Sequence, residues 1–337
     1  YEKNGLDTYH QPAKFITENQ LQIGNSKIEA KKIVIATGAK PRKLGIPGED
    51  LALSSTDFLN FKSLPKSLLF IGGGYIAFEF AHMAARFGSE VTIIHRGKTP
   101  LENFDPFIVE QLTKATEELD IKLVLNKEVS AIEELDGGFK VTAKDENQID
   151  SWDVEAVINS AGRPPAIFAL DLETANVAFS KKGIEVNEYL QSVSNPNIYA
   201  AGDAADTKGL PLTPVAVMEG HVVASNIVKG NNKKPDFQAI PTVVFTLPTM
   251  ASVGITEEEA TKKNLQYIVK KKSVPSWFTA KRINEKTYAY KTLIEKETGK
   301  ILGAHLIGPH AEEVINLFAM AIKAEFTSKD IKTMILT

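Results

Sequence analysis

The stretch that most constrains this chain is LLFIGGGYIAFEFAHMAARFGSEVTIIHRG, residues 68–97. The apolar run Ser67–Ile71 is typical of a buried strand, and the glycines that follow end it. Apolar residues then recur at helical spacing as far as Gly88, which is a helix stop signal. Glu90–His95 has the pattern of a second strand. This order of strand, turn, helix and strand predicts a nucleotide-binding βαβ unit.

The turn inside this unit has the spacing of a dinucleotide site. Residues 72–77, GGGYIA, fit the pattern G-x-G-x-x-G/A. Gly72 allows the tight turn, Gly74 lets a pyrophosphate approach the backbone, and Ala77 lets helix and strand pack closely. The free N–H groups and the positive dipole end at the helix start favour a phosphate. A glycine turn without a ligand is the alternative.

The end of the second strand bears on which dinucleotide binds. An NAD site carries a carboxylate about 20 residues past the glycines, where it bonds the ribose 2′-hydroxyl. Here that place holds His95, followed by Arg96 and Lys98. Cations there suit a 2′-phosphate, so the sequence predicts NADPH. The alternative is a set of solvated loop charges.

Two further segments predict a second nucleotide site. Residues 31–48, KKIVIATGAKPRKLGIPG, form a strand that ends in Thr37-Gly38, and residues 194–205, SNPNIYAAGDAA, form one that ends in Gly202-Asp203. Glycine at these places lets a ligand approach the backbone, and Asp203 could bond a polyol. Each segment alone is typical of a plain strand and turn, so the prediction depends on their order.

A helix is predicted after the second of these segments. Thr213 is expected to be its N-cap and Pro214 its first residue, and the helix runs to about Lys229. Its positive end, which includes Leu212, would stabilise an anion such as a reduced flavin ring.

Composition limits the function classes. The 337 residues exceed the ~250–300 over which one core grows, which predicts two or three domains. The net charge of −3 and the scattered lysines argue against nucleic acid as a partner. No apolar run approaches ~18 residues and no signal-peptide pattern is present, so we expect a cytoplasmic protein without a membrane partner. The sequence contains no cysteine, which excludes a thiolate metal site, and none of its histidines has metal-ligand spacing.

Several segments, taken in order, resemble those of one family. IVIATGAKP resembles a first flavin-domain signature, GGGYIAFEFA an NAD(P) signature and IYAAGDA a second flavin signature, which LTPVAVMEG follows. AGRPP, residues 161–165, resembles the end of a nucleotide domain. IPTVVFTLPTMASVGITEEEA and GAHLIGPHAEEVINLFAMAIKAEFT resemble an interface domain. Over essentially the whole chain they resemble the dimeric flavin-dependent pyridine nucleotide–disulfide oxidoreductases, with glutathione reductase as the closest branch.

The resemblance implies an α/β fold with two Rossmann-like nucleotide-binding domains, for FAD and NAD(P), and a C-terminal α+β dimerisation domain. Residues 1–43 and 164–235 would form part of the FAD-binding domain. Residues 44–163 would form the NAD(P)-binding domain, and residues 236–337 the interface domain. A helix from Glu312 to Ala324 carries more apolar surface than one small sheet would cover, which predicts a homodimer.

The resemblance also implies roles for individual residues. Tyr75 resembles a gate that covers the flavin until nicotinamide displaces it, and Glu79 resembles a carboxylate near the nicotinamide amide. Packing at a helix start and a solvated charge are their alternatives. Glu102 is a departure, because NADPH-using relatives often carry an arginine at its place. The implied FAD contacts are Thr37, Gly38, Gly202, Asp203, Leu212, Thr213 and Pro214. The implied NADPH contacts are Gly72, Gly74, Tyr75, Ala77, Glu79, His95, Arg96 and Lys98. Gly162 and Arg163 are implied to contact a cofactor, and a surface ion pair is the alternative for Arg163.

The implied reaction passes a hydride from NADPH through FAD to a cysteine pair, and the resulting dithiol reduces a disulfide substrate. The cysteine pair and the glycine loop for the ADP half of FAD would lie outside these residues, in a longer polypeptide. Three hypotheses follow. They are a glutathione reductase-like disulfide reductase; a dihydrolipoamide dehydrogenase, mercuric reductase or NAD(P)H oxidase on the same frame; and a non-catalytic nucleotide-binding remnant.

Overall fold

The computed structural model describes residues 2–335, whose contacts divide the chain into two compact units. Unit 1 comprises Tyr1–Lys40 and Arg163–Phe237. Unit 2 comprises Pro41–Gly162 and Gln238–Thr337. The division into three domains that we expect from the sequence stays a prediction.

The strands are short, and most belong to small sheets. In chain order they are β1 Ala13–Phe15, β2 Gln20–Ile23, β3 Ser26–Glu29, β4 Ile33–Ile35, β5 Ser67–Ile71, β6 Glu90–His95, β7 Lys122–Leu125, β8 Glu128–Leu135, β9 Gly138–Lys144, β10 Ile149–Val154, β11 Ala156–Asn159, β12 Phe179–Ser180, β13 Gly183–Glu185, β14 Ile198–Ala200, β15 Ala205–Asp206, β16 Thr242–Val244, β17 Met250–Gly254, β18 Tyr267–Ser273, β19 Ala289–Glu295 and β20 Ile301–Ile307.

The α-helices connect and cover these sheets. In chain order they are α1 Ser55–Leu59, α2 Tyr75–Arg86, α3 Pro106–Glu117, α4 Thr213–Lys229, α5 Glu257–Lys262, α6 Phe278–Arg282, α7 Ala311–Lys323 and α8 Ser328–Thr333. Within residues 2–335, none of the helices is long and apolar enough to cross a membrane.

Unit 1 is built around the parallel pair of strands β4 and β14. Ile33 pairs with Ile198 and Ile35 with Ala200, and these side chains are buried together. Two three-stranded sheets, β1-β2-β3 and β12-β13-β15, complete the unit. Because β4 and β14 run parallel, their carboxyl ends lie at the same edge of the sheet.

Helix α4 of unit 1 starts one residue earlier than the sequence predicts. Leu212 is its N-cap and Thr213 its first helical residue, so the expected Thr213 cap is wrong. Pro214 is then the second residue. Its missing N–H is harmless there too, because the first four N–H groups of a helix have no intrahelical partner. The helix ends before Gly230 at φ 75°, as glycine at a helix end favours.

Unit 2 contains the parallel sheet β11-β5-β6-β7. Its strands β5 and β6 have the bounds that the sequence predicts, and α2 lies between them in the chain. The buried Phe70, Phe78 and Ile93 join sheet and helix in one core, where Ala77 is fully buried. The small residue expected at the third place of the glycine pattern therefore does allow close packing.

The C-terminal part of unit 2 is a five-stranded antiparallel sheet in the order β16-β17-β20-β19-β18. Helix α3 packs against β19 and β20, and α7 packs against β17 and β20. Side chains of β19 alternate between two faces: Ala289 belongs to the core shared with α3, and Tyr290 to the core shared with α7. Helix α7, Ala311–Lys323, corresponds to the helix predicted from Glu312 to Ala324, with both ends one residue earlier.

Candidate functional site

A cavity of about 400 Å³ opens in unit 2 at the carboxyl ends of β5, β6 and β11. A crevice at the carboxyl edge of a parallel sheet is where such folds bind ligands. Its lining includes part of the predicted nucleotide set, namely Gly72, Gly74, Tyr75, His95, Arg96 and Gly162. The structure thus brings together residues from three separate strand ends.

The glycine turn combines one position that only glycine can occupy with one that leaves space beside the backbone. Gly72 has φ 114°, and a Cβ there would lie 2.5 Å from the Ser160 carbonyl oxygen, so only glycine fits. Gly74 is different, because its backbone is extended and a Cβ on it would meet no atom within 4 Å. Since Gly74 lines the cavity, its missing side chain leaves space for a ligand against the backbone.

The start of α2 adds the electrostatics of an anion site. Its N-cap, Gly74, has no side chain to bond the first N–H groups, and no acidic residue lies in the first turn. These N–H groups and the positive dipole end therefore lie at the cavity without a carboxylate from the first turn of the helix. The residues present fit a phosphate-bearing ligand.

The end of β6 places charges of both signs beside the cavity. The His95 ring lies under Gly73, where a Cβ would be 2.8 Å from its Cγ, and its Nε2 donates to the Thr99 carbonyl at 3.0 Å. Glu102 Oε1 lies 3.8 Å from the same Nε2. Arg96 is exposed and lines the cavity. Arg96 thus offers a cation to the cavity, and Glu102 adds a carboxylate to the same lining.

Other basic residues of the lining differ from the predicted ones. Within the described residues, Lys98 is not part of the lining, whereas Arg42 and Lys43 are. Arg42 is anchored through its backbone, whose N–H donates to the Gly162 carbonyl at 3.0 Å and whose carbonyl accepts from Asn159 Nδ2 at 2.7 Å. Sequence reasoning missed both, because KPRK has the composition of an ordinary loop. The signal available was its basic character next to a predicted site.

Helix α2 presents a polar stripe to the segment 242–247. Tyr75 Oη and Thr242 Oγ1 are hydrogen bonded at 2.7 Å, and Glu79 Oε1 accepts from the Phe245 N–H at 2.9 Å. Arg86 donates to the Leu247 carbonyl at 2.7 Å. The positions 75, 79 and 86 share one helix face. The structure thus holds both predicted catalytic residues by bonds to a distant part of the sequence.

Burial changes the acidity of the first two members of this stripe. It raises the pKa of Tyr75, although the Thr242 hydrogen bond opposes the shift, and the Glu79 charge adds to it. Burial also raises the pKa of Glu79, against the lowering effect of the Phe245 N–H. Glu79 is outside the cavity lining and half-buried, so its carboxylate is not the freely solvated helix charge that was the alternative.

His82 lies on the same helix and is buried against α3. Its Nε2 is 2.8 Å from Thr116 Oγ1, and its exposed fraction is 2%. Burial first, and then the Arg86 charge, lower the pKa of His82 to about 4. The imidazole is therefore neutral at neutral pH and belongs to the core. Among the described residues, no cluster of three or more metal-binding side chains is found.

In unit 1 the two predicted flavin segments meet at one edge. Thr37-Gly38 follows β4 and Gly202-Asp203 follows β14, and these strands are parallel neighbours. Gly38 and Gly202 have φ values of 66° and 65°, a conformation that favours glycine. Arg163 belongs to this unit, where it is exposed and donates to the Ala39 carbonyl at 2.7 Å. It does not line the cavity of unit 2.

A buried carboxylate that sequence reasoning missed supports the same edge. Glu219 of α4 is 1% exposed and accepts from the Gly202 N–H at 2.7 Å and from Thr207 Oγ1 at 2.9 Å. Burial raises the pKa of Glu219 despite these two bonds. Glu219 therefore fixes the turn that carries Asp203.

Two family models match nearly all of the chain. Residues 1–220 match the pyridine nucleotide-disulphide oxidoreductase family, and residues 240–337 match the dimerisation domain of the same family. The chain belongs to the pyridine nucleotide-disulphide oxidoreductases. The predicted family and the predicted α/β fold with a dimerisation domain are confirmed.

The relatives of this pyridine nucleotide-disulphide oxidoreductase include an uncharacterized protein and two kinds of reductase. An uncharacterized 19.7 kDa protein in a mercuric resistance operon of Staphylococcus aureus is 55% identical over 49% of this chain and 92% of its own length. Mercuric reductase of Bacillus cereus and glutathione reductase of Nostoc are each 34% identical, over 97% and 98% of this chain. The chain spans 52% of the length of the former and 74% of the latter.

A solved structure gives the same result for the fold. The HOCl-induced flavoprotein disulfide reductase RclA from Escherichia coli superposes with a TM-score of 0.87 at 30% identity. The match covers 98% of this oxidoreductase and 76% of RclA. The relatives therefore establish the family.

The dimerisation domain has an apolar face on α7. Val314, Leu317 and Met320 are 38%, 50% and 68% exposed, whereas Ile315 on the opposite side is fully buried. Exposed apolar residues at helical spacing commonly mark an interface. They give α7 an exposed apolar surface, and the domain match supports self-association.

Replacing Met320 with lysine is expected to raise the dimer dissociation constant at least about tenfold, because a charge would have to be desolvated in an apolar interface. Sedimentation across micromolar concentrations measures this. Val228→Lys on α4 is the matched control, since Val228 is exposed and lies in unit 1. A monomeric mass for the unaltered chain would contradict the dimer.

Proposed function

We propose that these residues form the NADPH-binding and dimerisation part of an NADPH-dependent, FAD-containing disulfide reductase. The observation that carries the proposal is the cavity at the start of α2, where Gly74 leaves space against the backbone and Arg96 supplies a cation. The match of residues 1–220 to the pyridine nucleotide-disulphide oxidoreductase family supports the proposal.

The residues that line the cavity, and Glu79 beside it, have distinct roles in this proposal. The N–H groups that begin at Gly74 bind the pyrophosphate, and Arg96 binds the 2′-phosphate. The nicotinamide half extends toward Tyr75. Glu79, which the Phe245 N–H holds in place, accepts a hydrogen bond from the nicotinamide amide. These contacts orient the nucleotide for hydride transfer.

We propose that a flavin binds at the carboxyl ends of β4 and β14 in unit 1. Gly38 and Gly202 allow a close approach to the backbone, Asp203 offers a carboxylate to a polyol, and Leu212, Thr213 and Pro214 form the positive start of α4. FAD bound there would supply the two-electron acceptor for the hydride. Thr37 completes the proposed set.

The thiol chemistry requires residues beyond these 337, because their sequence contains no cysteine. A cysteine pair elsewhere in the polypeptide would take the electrons and reduce a disulfide, as in a glutathione reductase. Reduction of a mercuric ion is the second candidate, since mercuric and glutathione reductases are equally identical to this chain. We also propose a cytoplasmic location, which the similarity to glutathione reductase supports.

Reversing the charge of Arg96 tests the nucleotide assignment. Arg96→Glu is expected to weaken NADPH binding about 30- to 100-fold, because a charge-assisted phosphate contact is lost and a repulsion is added. NADH binding should change less than about threefold. Lys98→Glu is the matched control, since Lys98 lies outside the cavity lining. Calorimetric titration gives each constant, and equal weakening of both nucleotides would exclude the role of Arg96.

Turnover assays test whether disulfide reduction requires a cysteine pair from outside these 337 residues. A polypeptide of these 337 residues is expected to bind NADPH and to oxidise none of it with glutathione disulfide, lipoamide or mercuric ion, because disulfide reduction needs a thiolate. A longer parent polypeptide with a cysteine pair should show flavin absorbance and reduce a disulfide. Disulfide turnover by these residues alone would contradict the mechanism, and a parent without cysteines would favour a non-catalytic nucleotide-binding protein.

A further inference from the structure

A second arginine lies at the nucleotide cavity, across the glycine turn from Arg96. Arg42 lines the cavity and is exposed, and its Nε and Nη2 lie 3.6 Å and 3.8 Å from the place that a Cβ on Gly162 would take. Among residues 2–335, the Arg42 side chain makes no hydrogen bond and no ion pair. Its guanidinium donors are therefore available to a ligand.

The backbone of Arg42 is fixed at the end of β11. Its N–H donates to the Gly162 carbonyl at 3.0 Å, and its carbonyl accepts from Asn159 Nδ2 at 2.7 Å. Asn159 is held in turn, because its Oδ1 accepts from the Ala161 N–H at 3.2 Å. Two residues after Arg42, Leu44 packs against the buried core of the sheet. These contacts restrict the guanidinium to the region around this strand end.

The strand order decides which side of the cavity Arg42 occupies. Strand β5, which leads into the glycine turn, has β11 on one side and β6 on the other. Arg42 lies at the end of β11 and Arg96 follows β6, so the two arginines flank the turn. The acidic residues of the lining are on the Arg96 side, since Glu102 follows β6 and Glu128 follows β7. The charge of Arg42 is thus not offset by any carboxylate of the described lining.

We propose that Arg42 binds the pyrophosphate of the nucleotide from the side of its nicotinamide half. The inference rests on the proposed function, which places the pyrophosphate at the glycine turn and the 2′-phosphate at Arg96. Arg42 then lies beside the part of the ligand that NADPH and NADH share. A guanidinium forms charge-assisted and often bidentate hydrogen bonds with phosphate oxygens. Arg42 therefore adds affinity without distinguishing the two nucleotides.

The two arginines are expected to give opposite patterns of binding. Arg42→Gln should raise the dissociation constants of NADPH and NADH by the same factor, about tenfold, because both contain the pyrophosphate. Adenosine 2′-monophosphate contains no pyrophosphate, so its constant should change less than about twofold. Arg96→Glu should instead weaken NADPH and adenosine 2′-monophosphate and change NADH little. Calorimetric titration gives each constant.

Two further variants separate a direct contact from a general effect of charge. Lys40→Gln removes the same charge two residues earlier, outside the cavity lining, and should leave all three constants unchanged. Arg42→Lys keeps the charge but loses the planar fork of donors, so it should restore only part of the affinity. The midpoint of urea unfolding should be the same for Arg42→Gln and the unaltered chain, because the fold loses no bond of this side chain.

Each contrary result has its own meaning. Unchanged constants for NADPH and NADH in Arg42→Gln would overturn the inference and leave the nucleotide site intact. Weaker binding of NADPH and adenosine 2′-monophosphate, with NADH unchanged, would also overturn it, because Arg42 would then bind the 2′-phosphate. Failure of the unaltered chain to bind either nucleotide would overturn the proposed function and this inference together.

Discussion

Replacing Gly74 with glutamate is expected to lower NADPH affinity at least about 100-fold, because a carboxylate would occupy the phosphate position. The same change should not unfold the protein. A Cβ on Gly74 meets no atom within 4 Å, its backbone is extended, and a carboxylate at a helix start is stabilising. The midpoint of urea unfolding should therefore stay constant or rise slightly.

The matched control is Gly220→Glu on α4, where a Cβ also meets no atom within 4 Å. It introduces the same side chain in unit 1 and should leave the NADPH constant unchanged. Calorimetric titration and urea unfolding of both variants give the comparison. Retention of full NADPH affinity in Gly74→Glu would place the phosphate elsewhere.

Replacing Lys291 with methionine is expected to lower the free energy of unfolding by about 3–5 kcal/mol, because a buried carboxylate loses its counter-ion. Asp105 is fully buried and Lys291 is 3% exposed, with Nζ 2.7 Å from Asp105 Oδ2 and 2.6 Å from Glu257 Oε2. Burial alone lowers the pKa of Lys291, but the two carboxylates outweigh it and raise the pKa. The ammonium is therefore charged at neutral pH.

Lys262→Met is the control for this prediction. Lys262 pairs with Glu258 one helical turn away, and both side chains are 70% exposed, so its loss should cost less than about 0.5 kcal/mol. Adding Asp105→Asn to Lys291→Met should recover part of the loss, since the unpaired buried charge disappears. Urea unfolding measures all three variants. A cost for Lys291→Met as small as that of the control would show that Asp105 finds another partner.

Local patterns in the sequence predict the elements at the centre of the site well. The bounds of β5 and β6 follow from apolar runs that glycines interrupt, and the end of α2 follows from Gly88. These signals lie within about one helix length of the residues that they govern. The cap of α4 was predicted wrongly, because Thr213 has the side chain of a preferred N-cap, whereas the residue that precedes the helix with an extended backbone is Leu212.

Contacts between distant parts of the sequence could not be predicted. The bonds from Tyr75 to Thr242 and from Lys291 to Asp105 join residues 167 and 186 positions apart. No periodicity in one segment carries information on the register of the other. For the same reason Arg42 was missed, since its place at the cavity depends on the path of a loop.

His82 illustrates a different limit. The helical pattern is compatible with either a surface or a satisfied interdomain histidine; in the structure α3 covers His82 and Thr116 bonds one ring nitrogen. Burial of a polar side chain depends on a partner in the neighbouring helix, which composition alone does not reveal.

The central claim is that the cavity at the start of α2 binds NADPH. Its most direct test is a calorimetric titration of the unaltered chain with NADPH and, separately, with NADH. The account predicts one site per chain and a dissociation constant for NADPH at least about tenfold lower than that for NADH, because of the Arg96 contact with the 2′-phosphate. Equal constants for the two nucleotides, or no binding of either, would contradict it.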